Sequence, residues 1–217
     1  MICRPESSRN PYLFSTYDNK ETWMRYWHVI QQAVKTKPNN LLEIGKGNGT
    51  IANYLEKNGF TVTTVDFDAS LNPTIVCSVI ELSKFLPEKS FDTVICSEVL
   101  EHLRFEDFKL ALNQIQRVCK NYLILTLPQS VYVFFLEFAS PLVKRKTFLQ
   151  TIPRGGTAPR ISEEHYWEIG MHRYSHRRVE AEISKGFCII GSYQIPENPS
   201  SRLYLLRPNI AAADNAS

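Results

Sequence analysis

Three alternating glycines are the residues of this chain best suited to holding a cofactor. Gly45, Gly47 and Gly49 follow a short apolar run, Leu41 to Ile44, that contains one acidic residue, Glu43. Glycine lets the backbone turn sharply and approach a ligand closely, because no Cβ stands in the way. The position of Glu43, two residues before the first glycine, favours a cofactor with a positive centre over one with a pyrophosphate.

A second acidic residue, Asp66, ends the next apolar run, about one βαβ unit further along. A glycine turn followed by an acidic strand end is the arrangement that holds a nucleoside cofactor in an open α/β sheet. The spacing matches neither the Gly-x-Gly-x-x-Gly of dinucleotide sites nor the Gly-Lys-Ser/Thr ending of a P-loop. It therefore disfavours nicotinamide-dependent oxidoreduction.

A group of two carboxylates and one imidazole follows another apolar run, in the pattern Glu98-x-x-Glu101-His102. Residues three and four apart are neighbours on a helix face, so these side chains could bind a divalent cation that orients hydroxyl oxygens. We favour the alternative, in which no metal binds and His102 packs beneath the cofactor loop.

Histidines are the candidate general bases, because a hydroxyl nucleophile must lose its proton during the reaction. We select His165 and His172, which lie in a segment dense in aromatic residues and arginine, and His28 in a predicted N-terminal helix. For each of them an exposed or packing role is the alternative.

Apolar runs that alternate with helical patterns must position these residues. The order predicts a parallel sheet with right-handed crossovers and, at its end, an antiparallel hairpin. The predicted helices are Glu21 to Val34, Ile51 to Lys57 and Phe105 to Cys119. The predicted strands are Leu41 to Ile44, Phe60 to Asp66, Thr74 to Cys77, Phe91 to Cys96, Tyr122 to Thr126, Phe187 to Ile190 and Arg202 to Leu206.

These landmarks together resemble class I S-adenosylmethionine-dependent methyltransferases. Glu43-x-Gly45-x-Gly47-x-Gly49 is similar to that family's first motif, and Asp66 lies where the family binds the two ribose hydroxyls. The segments Phe91 to Leu103 and Leu123 to Pro128 resemble its fourth strand with the following helix start, and its fifth strand with a proline turn. The resemblance implies a Rossmann-like three-layer α/β sandwich with a mostly parallel sheet of about seven strands.

The resemblance also implies roles for individual residues. Asp66 would accept both ribose hydroxyls and Phe67 would pack on the adenine. The family often places an aspartate after the third strand for the adenine amine, whereas this chain has Ser78, so Ser78 or a backbone group must serve. The full expected set of cofactor-binding residues is Glu43, Gly45, Lys46, Gly47, Asn48, Gly49, Asp66, Phe67, Ser78, Val79, Ser97 and Glu98.

Residues 130–178 interrupt the alternating pattern, and we interpret them as an inserted substrate cap. Its first part, Val131 to Phe138, is expected to be a helix packed over the substrate cleft, or else a lid for an apolar or lipid-linked acceptor that touches a membrane surface. The arginines Arg173, Arg177 and Arg178 make an anionic acceptor an alternative to ordinary surface charge.

The composition limits the classes of partner and compartment. The 217 residues fit one domain, and a net charge of +3 without a long basic stripe disfavours nucleic acid. The five cysteines form no close pair, and the N-terminal residues Met1 to Asn10 lack the apolar core of a signal peptide, so we expect a cytoplasmic protein. Residues 209–217 are small and polar, and we expect them to form a disordered tail.

The expected function is methyl transfer from S-adenosylmethionine, with S-adenosylhomocysteine as the product, to a small-molecule acceptor. A hydroxyl oxygen is the preferred acceptor atom, because of the Glu-x-x-Glu-His pattern and the available histidines. An RNA methyltransferase and a non-catalytic cofactor-binding partner subunit are the alternatives. The sequence does not identify the acceptor or the oligomeric state.

Overall fold

The computed structural model describes residue 12 and residues 17–140, 143–158 and 164–209. Four helices and nine strands follow one another in this part of the chain. They are α1 (Lys20–Lys35), β1 (Asn40–Ile44), α2 (Thr50–Lys57), β2 (Thr61–Asp66), β3 (Ile75–Val76), β4 (Phe91–Ser97), α3 (Phe105–Val118), β5 (Cys119–Pro128), β6 (Val131–Ser140), β7 (Val143–Pro153), α4 (His176–Gly186), β8 (Phe187–Ile195) and β9 (Asn198–Pro208).

Seven strands form the main sheet in the order β3-β2-β1-β4-β5-β9-β8. Strands β1 to β5 are parallel, whereas β9 runs antiparallel to both β5 and β8. The predicted Rossmann-like sheet of seven strands with an antiparallel hairpin at one edge is therefore confirmed. The strand order reverses at β1 and β4, and in open α/β sheets ligands bind outside the carboxyl ends of the strands at such a point.

Both faces of the sheet are covered by helices, which explains why its central strands are apolar without alternation. On one face, α1 and α2 pack on residues such as Leu41 and Ile95. On the other face, α3 and α4 pack on a larger cluster that includes Leu42 and Val94. Burial on both sides makes β1 and β4 a rigid base for the residues at their carboxyl ends.

The expected helix between Val131 and Phe138 is wrong. Residues Val131–Ser140 form strand β6, which pairs with β7 in a separate two-stranded antiparallel hairpin. The run Val-Tyr-Val-Phe-Phe is rich in β-branched and aromatic residues, which favour strands, and this preference outweighs the apolar content that suggested a helix. Side chains from Tyr132 to Phe138 are exposed on both faces of the hairpin.

Helix α4 had no counterpart in the sequence prediction. It begins after Ser175, whose hydroxyl accepts a hydrogen bond from the Arg178 N–H, and it buries Val179 and Ile183. Few of its eleven residues are apolar, so the hydrophobic periodicity that would indicate a helix is short. The charged segment beside it was interpreted as part of the predicted cap.

Gly170 fixes the rest of the predicted cap to the end of β5. It follows Ile169, which bonds to Pro128 and Ser130 through its backbone, and it has a φ of +95°. A Cβ on Gly170 would lie 2.7 Å from the Ser130 carbonyl oxygen. Only glycine therefore fits this crossing of two backbones.

We expect Gly170→Ala to lower the free energy of unfolding by about 3 kcal/mol, because a strained φ and a backbone clash combine. Urea unfolding measures the loss. Gly155→Ala is the matched control, since Gly155 has a φ of +65° but an added Cβ would meet nothing within 4 Å. Equal losses in the two variants would contradict the role of the Ser130 contact.

The expectations about membrane spans, cysteines and the tail can be compared with the described residues. No helix in the described ranges is both long and apolar enough to cross a membrane. The thiols of Cys77, Cys96 and Cys119 are buried and free, whereas that of Cys188 is exposed and free. Within the predicted tail, Asn209 donates its N–H to the Gly186 carbonyl, and residues 210–217 lie outside the described ranges.

Candidate functional site

The glycine turn leaves the carboxyl end of β1 and leads directly into α2. Gly45, Gly47 and Gly49 all have positive φ, and Gly49 is the residue before the first turn of α2. A Cβ on Gly45 would lie 2.3 Å from a methyl carbon of Val99. The turn therefore brings bare backbone to the switch point of the sheet, next to the amino end of a helix, as predicted.

Asp66 ends β2 beside this turn. The carboxylate is buried, and its two oxygens accept hydrogen bonds from the Gly47 N–H at 3.3 Å and the Asp68 N–H at 3.1 Å. These bonds fix the orientation of the carboxylate, so that it is presented to the same cleft as the glycine turn. The next residue, Phe67, has a side chain that is 81% exposed and thus leaves an aromatic face open beside the carboxylate.

The remaining residues of the predicted cofactor set surround the same edge of the sheet. Lys46 bonds through its ammonium to the Asn72 carbonyl, and Asn48 bonds to the Tyr26 hydroxyl. Ser97 bonds to the Thr126 hydroxyl at 2.9 Å. Ser78 precedes a 3-10 turn that begins with the buried Val79, beyond β3.

Glu43 lies beneath the glycine turn with its side chain buried. One carboxylate oxygen has no hydrogen-bond partner among the described residues. Burial raises the pKa of Glu43 to about 8, although a backbone N–H of Ala52 and the charge of Lys46 act in the opposite direction. A cation placed near this carboxylate would favour its charged form, which suits the positive centre expected of the cofactor.

Because the folded protein holds a proton on Glu43 up to about pH 8 and the unfolded chain releases it near pH 4.5, stability depends on pH. The stabilising effect of the proton on Glu43 is fully present below about pH 4.5 and is lost as the pH rises through about 8. We expect the Tm of the cofactor-free protein to fall between pH 5.5 and pH 8.5. The free energy of unfolding should fall by a few kcal/mol over this range, because each pKa unit corresponds to about 1.4 kcal/mol. Thermal unfolding of Glu43→Gln should show a smaller fall, and an identical pH profile would contradict this assignment.

Arg25 of α1 is a site residue that the sequence analysis missed. It lines a cavity of about 30 Å³ together with Tyr17, Glu43, Gly45 and Ser97. Its Nε is buried and has no hydrogen-bond partner among the described residues. The Arg25 side chain donates a hydrogen bond to the Tyr17 hydroxyl, and the negative charge of Glu98 favours the charged form of the guanidinium. In the sequence Arg25 looked like the polar face of an amphipathic helix, so only the fold reveals its position.

Two tyrosines close the cleft above the glycine turn. The ring of Tyr12 lies 3.6 Å from the point that a Cβ on Gly47 would occupy, and it contacts Tyr17 edge to face with centroids 4.8 Å apart. Burial, aided by the charges of Tyr17 and Asp66, raises the pKa of Tyr12 to about 12. The cavity that remains has room for one or two water molecules.

A second cluster lies just beyond β4, on the side of the predicted cap. His102 Nε2 and His165 Nε2 lie 4.0 Å and 3.9 Å from the same oxygen, Glu101 Oε1. His165 Nδ1 lies 3.2 Å from Glu168 Oε1. Burial, reinforced by the charge of Glu98, raises the pKa of Glu101 well above its ordinary range. Burial also lowers the pKa of His102, with a further contribution from His165.

Two anchors bring His165 to this cluster from a distant part of the sequence. The N–H of Tyr166 donates to the carbonyl of Glu101 at 2.9 Å. The indole N–H of Trp167 donates to the carbonyl of Leu103, and its ring packs on Phe105 and Phe108. The burial of Trp167 is thus what holds His165 over the turn after β4.

Glu98 does not join the other two members of the predicted metal group. Its φ is +54°, and its carboxylate accepts a hydrogen bond from the Ser201 hydroxyl at 2.7 Å. The 3-10 turn after β4 spans only Leu100–His102, so Glu98 lies before it and is not aligned with Glu101 on a helix face. His165 takes the place beside Glu101 and His102 that had been expected for Glu98.

The structure places the other two candidate bases elsewhere. His28 bonds to the Tyr193 hydroxyl and to Glu197, so it links α1 to the edge hairpin. His172 is exposed, and its backbone N–H bonds to the Gly156 carbonyl. Of the three histidines, only His165 has its ring among the carboxylates beyond β4.

Comparisons with known proteins agree with this geometry. A family model described as a methyltransferase domain matches residues 17–179. No curated protein matches the chain at a significant level.

Several solved structures share the fold at low sequence identity. The N-methyltransferase NodS from Bradyrhizobium japonicum, in complex with S-adenosylhomocysteine, has a TM-score of 0.63 at 12% identity and covers 94% of each chain. The PH0226 protein from Pyrococcus horikoshii has a TM-score of 0.60 at 16% identity, over 88% of this chain and 93% of its own. The 1,6-didemethyltoxoflavin-N1-methyltransferase from Burkholderia thailandensis has a TM-score of 0.57 at 15% identity, over 88% and 80%.

Proposed function

Because the chain belongs to the methyltransferase-domain family, we propose that it transfers the methyl group of S-adenosylmethionine to a hydroxyl oxygen of a small molecule. The observation that carries this proposal is that two sites share one edge of the sheet. The glycine turn with Asp66 suits a nucleoside cofactor, and the cluster of Glu101, His102 and His165 suits the removal of a proton from an acceptor.

Each part of the cofactor has a group that fits it chemically. The Asp66 carboxylate can accept both ribose hydroxyls, and the exposed Phe67 ring can pack on the adenine. The guanidinium of Arg25 suits the carboxylate of the methionine part, whereas the buried Glu43 suits its positive charge. A sulfonium methyl is already activated, so the protein mainly has to hold acceptor and methyl group in line.

We assign the proton to the histidine cluster. In the tautomer in which His165 donates its Nδ1–H to Glu168, Nε2 keeps a lone pair that can accept the proton of the acceptor hydroxyl. The hydroxyl oxygen then forms a bond to the methyl carbon while the bond from that carbon to sulfur breaks, and S-adenosylhomocysteine leaves.

An amine nitrogen is the second candidate acceptor. NodS and the toxoflavin enzyme are both named as N-methyltransferases, and the latter was solved with the small molecule 1,6-didemethyltoxoflavin bound. Glu98, which is partly exposed at the end of β4, would also attract an ammonium group. Methylation of RNA and a non-catalytic role beside a partner subunit stay as alternatives from the sequence.

The test is a turnover assay with S-adenosylmethionine and a panel of small hydroxyl and amine compounds, read as S-adenosylhomocysteine formed. Mass spectrometry of the methylated product identifies the acceptor atom. Cofactor binding without turnover on any acceptor would support the non-catalytic alternative, and no cofactor binding at all would overturn the proposal. His165→Gln should lower kcat by about 100-fold for a hydroxyl acceptor and leave cofactor affinity unchanged.

A further inference from the structure

We propose that Glu101, His102 and His165 form a binding site for one divalent transition-metal ion at the acceptor side of the cleft. These three side chains come from two distant segments of the chain. Their potential ligand atoms all lie within 4.8 Å of one another. The binding of the ion does not depend on the proposed function, whereas its role in the reaction does.

The state of Glu101 is the observation that points most directly to a ligand. Its side chain is fully buried, and neither carboxylate oxygen has a hydrogen-bond partner among the described residues. Leaving a buried carboxylate without partners is costly, so such a group normally pairs with a cation or coordinates a metal.

The two histidines are arranged as metal ligands usually are. Glu168 lies at the Nδ1 of His165, so the opposite nitrogen, Nε2, is the one that faces Glu101. A carboxylate on the far nitrogen of a ligating histidine fixes its tautomer and raises its basicity. The side chain of His102 is 39% exposed, which leaves a path for an ion and open positions for further ligands.

The distances allow an ion to bind after small side-chain movements. Bonds of 2.0–2.2 Å to nitrogen and oxygen imply ligand atoms about 3.4 Å apart in a tetrahedral site. The two distances from Glu101 Oε1 to the imidazoles are 3.9 Å and 4.0 Å, so each of these two pairs must close by roughly half an ångström. The two imidazole nitrogens lie within 4.8 Å of each other and must close by at most about 1.4 Å.

The ligand types select the class of metal. Two imidazoles and one carboxylate suit ions such as Co²⁺, Mn²⁺ or Zn²⁺, whereas Mg²⁺ prefers oxygen ligands throughout. With an ion bound, His165 would hold the metal rather than take the proton. The ion would lower the pKa of a coordinated acceptor hydroxyl, whose proton then passes to solvent before the oxygen attacks the methyl carbon.

Co²⁺ is the probe for the test, because its visible absorption reports coordination directly. Tag-free protein, stripped with a chelator, is titrated with Co²⁺ by calorimetry and absorption. We expect one ion per chain with micromolar or tighter affinity, and binding of Mg²⁺ at least 100-fold weaker. The absence of saturable one-site binding, or equal affinity for Mg²⁺, would overturn the proposal.

Four variants test the assigned ligands. His165→Gln and Glu101→Gln should weaken Co²⁺ binding at least 30-fold, whereas Glu98→Gln and the matched control His176→Gln should change it less than threefold. A large loss in Glu98→Gln, or none in His165→Gln, would refute this ligand set. Thermal unfolding checks that each variant is folded, and calorimetric titration measures its binding of S-adenosylmethionine separately. Metal binding can therefore fail while cofactor binding and turnover persist, in which case the proposed function stands with His165 as the base.

Discussion

Replacing Asp66 by asparagine is expected to weaken the binding of S-adenosylmethionine by about 100-fold or more. A carboxylate can accept both ribose hydroxyls, and hydrogen bonds to a charged group contribute about 1.5–3 kcal/mol each. The asparagine amide keeps one acceptor and turns a donor toward the other hydroxyl. The Gly47 N–H, which now bonds to Asp66, would also lose a charged partner.

Calorimetry with S-adenosylmethionine and with S-adenosylhomocysteine measures this effect, and both affinities should fall together because both ligands carry the ribose. Asp68→Asn is the matched control. Asp68 lies two residues away, and its partly exposed carboxylate accepts a hydrogen bond from the Ser70 N–H. A loss of less than tenfold in Asp66→Asn, or an equal loss in the control, would show that Asp66 does not hold the ribose.

Replacing Arg25 by glutamine is expected to weaken S-adenosylmethionine binding by about 30-fold or more. Removing one partner of a buried charge pair costs about 2–5 kcal/mol, and 2 kcal/mol corresponds to roughly 30-fold. The guanidinium is one of two positive groups, with Lys46, that line the cavity beside Gly45 and Ser97, where the methionine carboxylate is expected. Arg25→Lys should recover part of the affinity, since it keeps the charge but loses the planar fork.

A truncated ligand distinguishes this role from a structural one. 5′-Methylthioadenosine has the adenine and ribose but no amino-acid carboxylate, so its affinity should be the same for Arg25→Gln as for the unmodified protein. If Arg25→Gln weakens both ligands equally, Arg25 supports the shape of the cleft and does not bind the carboxylate.

The central fold was predictable because its signals are local. Strands β1 and β4 are short apolar runs bounded by polar residues, the glycine turn follows β1 directly, and Asp66 ends β2. The hairpin of β6 and β7 was mistaken for a helix, because length and apolar content alone do not distinguish the two. There the β-branched and aromatic residues decided the outcome.

The candidate site was only partly predictable, because it depends on contacts between distant segments. His165 was selected for its residue type, but its position beside Glu101 depends on the burial of Trp167 against α3. Arg25 reaches the cofactor edge because α1 packs across the sheet. The separation of Glu98 from Glu101 follows from a 3-10 turn that the sequence does not distinguish from the start of a helix.

The aromatic pair of Tyr12 and Tyr17 has a consequence for how fast the cofactor can enter. The cavity beside Gly45 and Gly47, which Tyr17 lines, has room for one or two waters, so the methionine part of the cofactor cannot enter until this ring and the Tyr12 ring in contact with it withdraw. Association should then be limited by a first-order opening step. In stopped-flow experiments, the observed rate should rise with ligand concentration and then level off, and Tyr12→Ala should raise that plateau.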